Sequence, residues 1–154
     1  MHDTVYSYET YSESKGEHGI LVLRVRRPRA DLAELDVAGR VQRLHVSKAG
    51  LELATGGFLL LAPLKTGAEW HGDFGLVRVT STDKAIAVPA GKYVGCLETV
   101  EELASPEVSK RTTTVFCPNV GIVSRDSEGQ AGGEVEHETL LLKSYGEAFT
   151  PDLR

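Results

Sequence analysis

The sequence lacks any long apolar run. The longest uninterrupted one, Phe58 to Ala62, is far shorter than the roughly 18 residues that a membrane-spanning helix needs, and shorter than the apolar core of a signal peptide. We therefore expect no membrane span in this chain. No signal peptide or lipobox opens it, and Met1 is its only methionine. Both facts are compatible with a mature domain whose targeting segment, with or without a lipid anchor, has been removed.

Positive charge is also scarce. Seventeen Lys and Arg stand against 22 Asp and Glu, for a net charge of −5, whereas a nucleic-acid surface needs clustered cations. The one basic cluster, Arg24 to Arg29, has the pattern of a solvated strand end. No Cys-x-x-Cys pair and no glycine-rich phosphate loop between a strand and a helix is present. The sequence thus predicts no nucleic-acid partner, no metal site and no cofactor.

Helical periodicity is almost absent. It is confined to Ala30–Ala38, where Asp31 could cap two turns and Gly39 could end them. Elsewhere roughly nine to eleven short strand patterns alternate with polar turns. The 154 residues, 41% of them hydrophobic, suit one domain over residues 1–154 with a frayed tail at 146–154. We predict an all-β fold with at most one short helix, a strongly curved antiparallel meander that forms a half-barrel, barrel or sandwich.

Two local predictions refine this fold. The apolar strand Phe58–Leu61 carries large side chains on both faces, which is typical of a central strand. The segment Asp126–Gly133 holds three glycines and is predicted to be a loop. The last long strand follows it, over residues 134–145.

The only two cysteines are predicted to form a disulfide. Cys96 lies ten residues before Pro106, and Cys117 lies ten residues after Glu107. A hairpin with a symmetric turn there, Ser105–Val108, places the two cysteines directly opposite each other. Opposite residues at a non-hydrogen-bonded site have Cα atoms about 4.5 Å apart, which a disulfide can bridge. The alternative is a pair of reduced, buried thiols in a cytosolic protein.

Three segments between about residues 60 and 123 occur in a telling order: Pro63-Leu64-Lys65-Thr66-Gly67-Ala68-Glu69-Trp70, then Val88-Pro89-Ala90-Gly91-Lys92-Tyr93, then Cys117-Pro118-Asn119-Val120-Gly121-Ile122-Val123. Together they resemble a pattern of bacterial exported lipoproteins of unknown function, in which "PLKVGNSW", "VPAGTF" and "YAPGVGLV" follow one another. Asn119 stands where glycine is usual, and Cys117 replaces a small residue. The resemblance implies a periplasmic or cell-surface location and brings no catalytic residues with it.

The structural corners implied by these segments are Pro63, Gly67, Trp70, Pro89, Gly91, Pro118 and Gly121. We further predict that Trp70 is a core anchor beneath the Pro63–Gly67 corner.

Three clusters are candidates for chemical sites. Trp70, His71 and Asp73 could serve a glycan-acting hydrolase, but neighbours on a regular strand point to opposite faces. Glu98, Glu101 and Glu102 could supply two paired carboxylates of the kind that glycosidases use, although a solvated strand face is the simpler interpretation. His137, among glutamates, suggests a divalent-cation patch. The three glutamates of that strand, Glu134, Glu136 and Glu138, point away from it, which favours a solvated face.

The sequence therefore favours a non-enzymatic extracytoplasmic module that binds an envelope protein or an apolar ligand on a curved sheet, or acts as a scaffold. Two alternatives stay open. One is the glycan-acting hydrolase built on Trp70, His71 and Asp73. The other is a purely structural domain of a cell-envelope assembly.

Overall fold

The computed structural model describes residues 3–148, and within them every regular element is a β-strand. In chain order the strands are β1 (Thr4–Ser12), β2 (Glu17–Arg29), β3 (Leu32–Val37), β4 (Arg40–Val46), β5 (Gly50–Leu53), β6 (Phe58–Leu61), β7 (Glu69–His71), β8 (Leu76–Val88), β9 (Gly91–Ala104), β10 (Val108–Cys117), β11 (Gly121–Ala131) and β12 (Glu134–Glu147). The all-β prediction is confirmed, with twelve strands in place of nine to eleven. None of these residues belongs to a helix that could cross a membrane.

All twelve strands belong to one antiparallel sheet with a circular topology. The strand order is β6-β5-β4-β3-β2-β1-β12-β11-β10-β9-β8-β7, so every neighbour in the sheet is also a neighbour in sequence, except that β1 pairs with β12. The sheet curls into a nearly closed barrel, and its two edge strands, β6 and β7, face each other across a seam. This is the curved meander that the short connections predict.

The tight turns have the residues that their geometry demands. Ala38 and Gly39 join β3 to β4 with φ angles of 52° and 84°. Gly132 and Gly133 join β11 to β12 with φ angles of 59° and 82°. Two left-handed residues in a two-residue loop match the twist of the flanking strands. Asn119, in the β10–β11 turn, also has a positive φ, 63°, which asparagine tolerates better than other side chains and which explains why it can occupy a glycine position.

The helical prediction for Ala30–Ala38 is wrong. Residues 32–37 form β3, with ladders to β2 on one side and β4 on the other. Ala33 is buried and Leu35 packs beside it, so spacing by two, not by three or four, places this segment's apolar side chains. Two flanking strands supply every ladder hydrogen bond, and this tertiary pairing outweighs a weak local preference.

Two further local predictions need correction. Phe58–Leu61 is an edge strand, β6, not a central one. All four of its residues are half-buried because the residues on the other side of the seam lie beside them. Residues 126–131 are not loop but the second half of β11, paired with both β10 and β12. The glycine at 129 is tolerated there because both neighbours hold the strand. Of the tail predicted to fray, Gly146 and Glu147 belong to β12, and residues 149–154 lie outside the described residues.

The β9–β10 hairpin has the predicted register. Ser109 pairs with Ala104 and Phe116 with Leu97, around a turn of residues 105–108 that is closed by a hydrogen bond from the Ser105 amide to the Val108 carbonyl. Cys96 and Cys117 are therefore opposite each other, with Cα atoms 4.4 Å apart, and they form a disulfide. Both residues are buried.

Alternation gives the sheet an inner and an outer face. The inner face carries Val77, Thr99, Glu101, Thr112 and Ser127, which follow one another across neighbouring strands. The outer face carries the residues next to them, such as Val100, Thr113 and Asp126. Side chains from β3 to β6 meet those from β8 to β11 on the inner face, which identifies it as the concave interior.

The seam is closed by side chains instead of a ladder. The Trp70 indole N–H donates to the Phe58 carbonyl across it, at 3.1 Å. Trp70 is 6% exposed and packs with Val77 and Val79 against residues of β6. Gly57 lies so close to the Gly72 carbonyl that a Cβ there would stand 2.0 Å from the oxygen. The prediction that Trp70 is buried is confirmed, and its hydrogen bond to Phe58 joins the two sides of the seam.

Candidate functional site: the interior and its mouth

The wall made by β9, β10 and β11 is polar on its inner face. Thr99, Thr112 and Thr114 are buried there, and Thr114 lies opposite Thr99 across the ladder. Thr112 and Ser127 share a hydrogen bond between their hydroxyls at 3.1 Å. Within residues 3–148 no buried side-chain nitrogen or oxygen lacks a partner. The buried polar side chains of the interior therefore find their hydrogen-bond partners within the described chain.

Glu101 projects into this interior and has a structural role. Its carboxylate accepts hydrogen bonds from the backbone amides of Phe74 and Gly75, at 2.8 and 2.9 Å. These amides belong to the turn between β7 and β8, so one side chain of β9 ties down the neighbouring turn. The other two candidate carboxylates have partners on the outer face: Glu98 accepts a hydrogen bond from the Thr80 hydroxyl and pairs with Lys84, and Glu102 pairs with Arg111. The three do not converge.

A small cavity of about 100 Å³ occupies the middle of the barrel. One side of it is apolar, with Leu53, Phe58 and Val77, and the other holds Thr99, Thr112, Glu101 and Arg125. Ligand pockets usually measure about 300–1,000 Å³, so this cavity cannot hold a lipid chain.

Arg125 lines both this cavity and a wide opening that we call the mouth. The mouth measures about 560 Å³ and lies between β10, β11 and β12. Its floor is apolar, with Leu21 and Leu140, and its rim carries Glu134, Glu136, Glu138, Lys110 and Arg125. A second opening of about 520 Å³, over β1 and β2, shares Leu21, Glu138 and Leu140 with it, so the two form one crevice.

The rim glutamates of the mouth are unpaired. The inner-face positions of β12 at 134, 136 and 138 place three carboxylates in one row, and none forms an ion pair with a residue of 3–148. Lys110 is the nearest inner-face cation on β10, and its ammonium stands 4.4 Å over the Phe74 ring instead. Carboxylates in a row repel one another, and this row has no partner in the described chain.

The end of the barrel opposite the mouth is closed by tyrosines. Tyr6 donates its phenol proton to the Val120 carbonyl at 2.6 Å, and Tyr8 donates to the Ile122 carbonyl at 2.8 Å. The rings stack, with Tyr6 also against Tyr145. Burial raises the pKa of both Tyr6 and Tyr8 above its usual value, since the anion would lose its solvation; Tyr145 adds to the shift of Tyr6, and Tyr6 to that of Tyr8.

His137 lies on the outer face of β12, away from the rim glutamates, as its strand position predicts. Its Nδ1 contacts Glu13 at 2.7 Å, and its Nε2 contacts Asp126 of the neighbouring β11. Hydrogen bonds to Glu13 and then to Asp126 raise the pKa of the imidazole above its usual value. Sequence reasoning singled out His137 but did not bring it together with Glu13 and Asp126, because Glu13 and His137 are 124 positions apart and Asp126 falls in a predicted loop.

No protein-family model matches the sequence, and neither does any curated protein. The fold does match solved structures. One is the crystal structure of a "putative exported protein with YmcC-like fold" from Bacteroides fragilis NCTC 9343. The match covers 93% of this chain and 95% of the Bacteroides chain, with a TM-score of 0.53 and 14% sequence identity. A "putative lipoprotein" from Parabacteroides distasonis ATCC 8503 covers 95% and 96%, with a TM-score of 0.51 and 12% identity. The chain has the YmcC-like fold.

The hydrolase arrangement is not assembled in this fold. Trp70 is buried on the inner face of β7, whereas His71 is exposed on the opposite face. The Trp70 indole N–H is already bound to Phe58, and Asp73 lies in the turn toward β8. Trp70 and His71 do not share a cleft, so that hypothesis is wrong for these residues.

The predicted corners lie in connections or at strand ends, except Trp70, which is the middle residue of β7. Pro63 and Gly67 are in the β6–β7 link, where the Gly67 amide donates to the Val79 carbonyl at 2.8 Å. Pro89 occupies the two-residue β8–β9 turn, and Gly91 opens β9. Pro118 follows β10, and Gly121 opens β11 with a φ of 115°. A Cβ on Gly121 would stand 3.1 Å from the Tyr6 hydroxyl oxygen. The glycine at this corner therefore leaves room for Tyr6 at the closed end of the barrel.

Proposed function

We propose that this domain is an extracytoplasmic, non-catalytic module that binds a basic, amphipathic segment of an envelope protein in its mouth. The observation that carries the proposal is the mouth itself: about 560 Å³, an apolar floor of Leu21 and Leu140, and three unpaired rim carboxylates. Apolar side chains of a partner would cover the floor, and its Lys or Arg would neutralise Glu134, Glu136 and Glu138.

The extracytoplasmic location rests on two supports. The Cys96–Cys117 disulfide suits an oxidising compartment. The two structural neighbours are described as exported and as a lipoprotein, in line with the lipoprotein resemblance of the three ordered segments. A lipid anchor on a longer precursor is part of the same proposal.

The apolar-ligand version is less well supported than the protein-segment version. The central cavity is about 100 Å³ and half-lined by threonine, glutamate and arginine, while the mouth is open and charged. A carrier of lipid chains needs a continuous apolar tunnel. The buried threonines of this interior make it polar and so interrupt any such tunnel.

An amide NMR titration tests the proposal with three probes: a ten-residue Lys/Leu peptide, a Glu/Leu peptide of the same length, and palmitate. We expect saturable shifts at residues 108–110, 125–131 and 134–140 with the Lys/Leu peptide alone. Glu136→Gln/Glu138→Gln should weaken binding roughly fivefold, since an exposed charge pair contributes about 0.2–1 kcal/mol. Glu9→Gln/Glu147→Gln removes the same charge at two exposed positions that do not line the mouth and should leave binding unchanged.

The other outcomes are equally informative. Shifts with palmitate and none with the peptide would replace the proposal with an apolar-ligand carrier. Shifts with neither probe would leave the purely structural domain of an envelope assembly. Equal weakening by both double variants would mean that net charge, and not the mouth, attracts the peptide.

A further inference from the structure

The outer face of β11 and β12 carries a second group of polar side chains, separate from the inner-face glutamates. Asp126 and Glu128 of β11 lie directly across the ladder from Thr139 and His137 of β12. One ligand-capable atom from each of Asp126, Glu128 and His137 falls within 4.8 Å of the other two. The His137 Nε2 contacts Asp126 and is 3.8 Å from Glu128 Oε1.

The surroundings fix this imidazole in one orientation. Glu13, the first residue of the β1–β2 turn, holds Nδ1 at 2.7 Å, and the Glu13 amide donates to the His137 carbonyl at 3.0 Å. The Thr139 hydroxyl donates to Asp126 Oδ1 at 3.3 Å. A metal-bound histidine characteristically gives its other ring N–H to a carboxylate, which fixes the tautomer and strengthens the ligand. Glu13 has that position here, and it directs Nε2 toward the two carboxylates.

We propose that Asp126, Glu128 and His137 form a binding site for a divalent transition-metal ion of the Zn²⁺ class, with Glu13 as the carboxylate that orients His137. One imidazole nitrogen and two carboxylate oxygens are a ligand set that Zn²⁺ accepts, with water in the fourth position. Mg²⁺ and Ca²⁺ prefer oxygen ligands alone, so the imidazole selects against them.

The geometry needs only small movements. Ligands about 2.0–2.2 Å from a tetrahedral zinc are separated from one another by roughly 3.4 Å. The Nε2–Glu128 distance of 3.8 Å is close to that separation, whereas Asp126 must swing away from Nε2 to admit the ion. Its side chain is 43% exposed and that of Glu128 is 60% exposed, so both can turn in solvent while His137 stays in place.

A metal here would act as a clamp beside the mouth. It would join β11 to β12 directly and the β1–β2 turn through Glu13. Glu128 also borders the mouth, so the ion would lie at the edge of the proposed binding surface without occupying it. The metal proposal does not depend on the peptide proposal, because none of the three rim glutamates on β12 is a metal ligand.

The test is calorimetric titration of the full chain, freed of metal by a chelator, with ZnCl₂, MgCl₂ and CaCl₂ at neutral pH. We expect one equivalent of Zn²⁺ to bind and neither of the other ions to compete. His137→Gln, Asp126→Asn and Glu128→Gln should each weaken Zn²⁺ binding at least tenfold, and Glu13→Gln about tenfold or more, as outer-shell partners do. His71→Gln and Glu107→Gln are matched exposed controls and should bind as the wild type does.

Imidazole ¹⁵N NMR gives an independent readout. Zn²⁺ should move the Nε2 resonance of His137 to a metal-bound value while Nδ1 keeps its proton, and it should leave His71 unchanged. Wild type with no saturable Zn²⁺ binding, or binding that survives in folded His137→Gln, would overturn the proposal. Binding abolished by His2→Gln alone would do the same, since it would assign the ion to the N-terminal segment.

Discussion

Tyr8 shows how a single buried hydroxyl couples the fold to pH. Its phenol is 2% exposed as a residue and donates to the Ile122 carbonyl, which only the protonated form can do. Burial and, to a smaller extent, the neighbouring Tyr6 raise the folded-state pKa of Tyr8 above its unfolded value near 10. A raised pKa contributes stability that is fully present below the unfolded pKa and is lost as pH rises above it.

Tyr8→Phe should accordingly change both the stability at neutral pH and the steepness with which stability falls at alkaline pH. At pH 7 the free energy of unfolding should fall by about 0.5–1.5 kcal/mol, the net contribution of one hydrogen bond. Above pH 10 the variant should lose stability less steeply than the wild type. Urea unfolding from pH 7 to 11 measures both, with Tyr11→Phe, at an exposed tyrosine, as control. Parallel pH profiles for wild type and Tyr8→Phe would contradict this account.

Trp70 combines core packing with the hydrogen bond that closes the seam. Trp70→Ala should reduce the free energy of unfolding by about 3–5 kcal/mol, the usual cost of removing a buried large aromatic. Trp70→Phe keeps most of the packing and removes the N–H donor to Phe58, so it should cost less. Leu64→Ala, at a residue 44% exposed, should change stability by less than about 0.5 kcal/mol. Chemical denaturation measures all three.

Fluorescence provides an independent check, because Trp70 is the only tryptophan in the chain. Iodide should quench it weakly in the folded state. Full quenching in the folded protein would contradict its burial.

Among the hairpins, β9–β10 is the one whose register the sequence specified. The symmetric placement of two cysteines about Pro106 and Glu107 is a local, countable signal, and the ladder pairs Ser109 with Ala104 as that signal requires. The β3 and β11 segments gave no such signal. Their strand state depends on partners on both sides, which local periodicity and a count of glycines do not detect.

The disulfide should stabilise this hairpin and the whole sheet. Closing a loop with a sequence separation of 21 is worth about 3 kcal/mol in the chain-entropy model. Denaturant unfolding of oxidised and reduced wild type should differ by roughly that amount, and Cys96→Ala/Cys117→Ala should resemble the reduced form. Two reactive thiols per chain in denatured, unreduced protein from an oxidising preparation would rule the bridge out.

The candidate sites illustrate what the alternation of side chains can and cannot reveal. It separated Glu134, Glu136 and Glu138 from His137 correctly. It could not say which face is concave, because curvature is a property of the closed sheet. Nor could it bring Glu13 to His137, a contact that exists only because β1 pairs with β12.

The circular order of strands places the weak point of the molecule away from the first and last strands. Every adjacent pair from β7 through β12 and on through β1 to β6 shares a backbone ladder. Only β6 and β7 do not, and they meet through Trp70, Phe58 and the close approach of Gly57 to Gly72. Local opening follows the weakest backbone hydrogen bonding, so β6 and β7 should exchange their amide protons before the other strands.

Gly57→Ala tests this seam with one methyl group. The new Cβ would stand 2.0 Å from the Gly72 carbonyl oxygen, so the two sides of the seam must separate. Such overpacking should lower the free energy of unfolding by about 1–3 kcal/mol. Hydrogen exchange should accelerate in β5, β6 and β7 and stay slow in β9 to β12. Gly146→Ala adds the same methyl in open space and should change neither stability nor exchange. If Gly57→Ala accelerated exchange evenly through all twelve strands, the seam would not open as a separate unit, and the sheet would behave as one cooperative barrel.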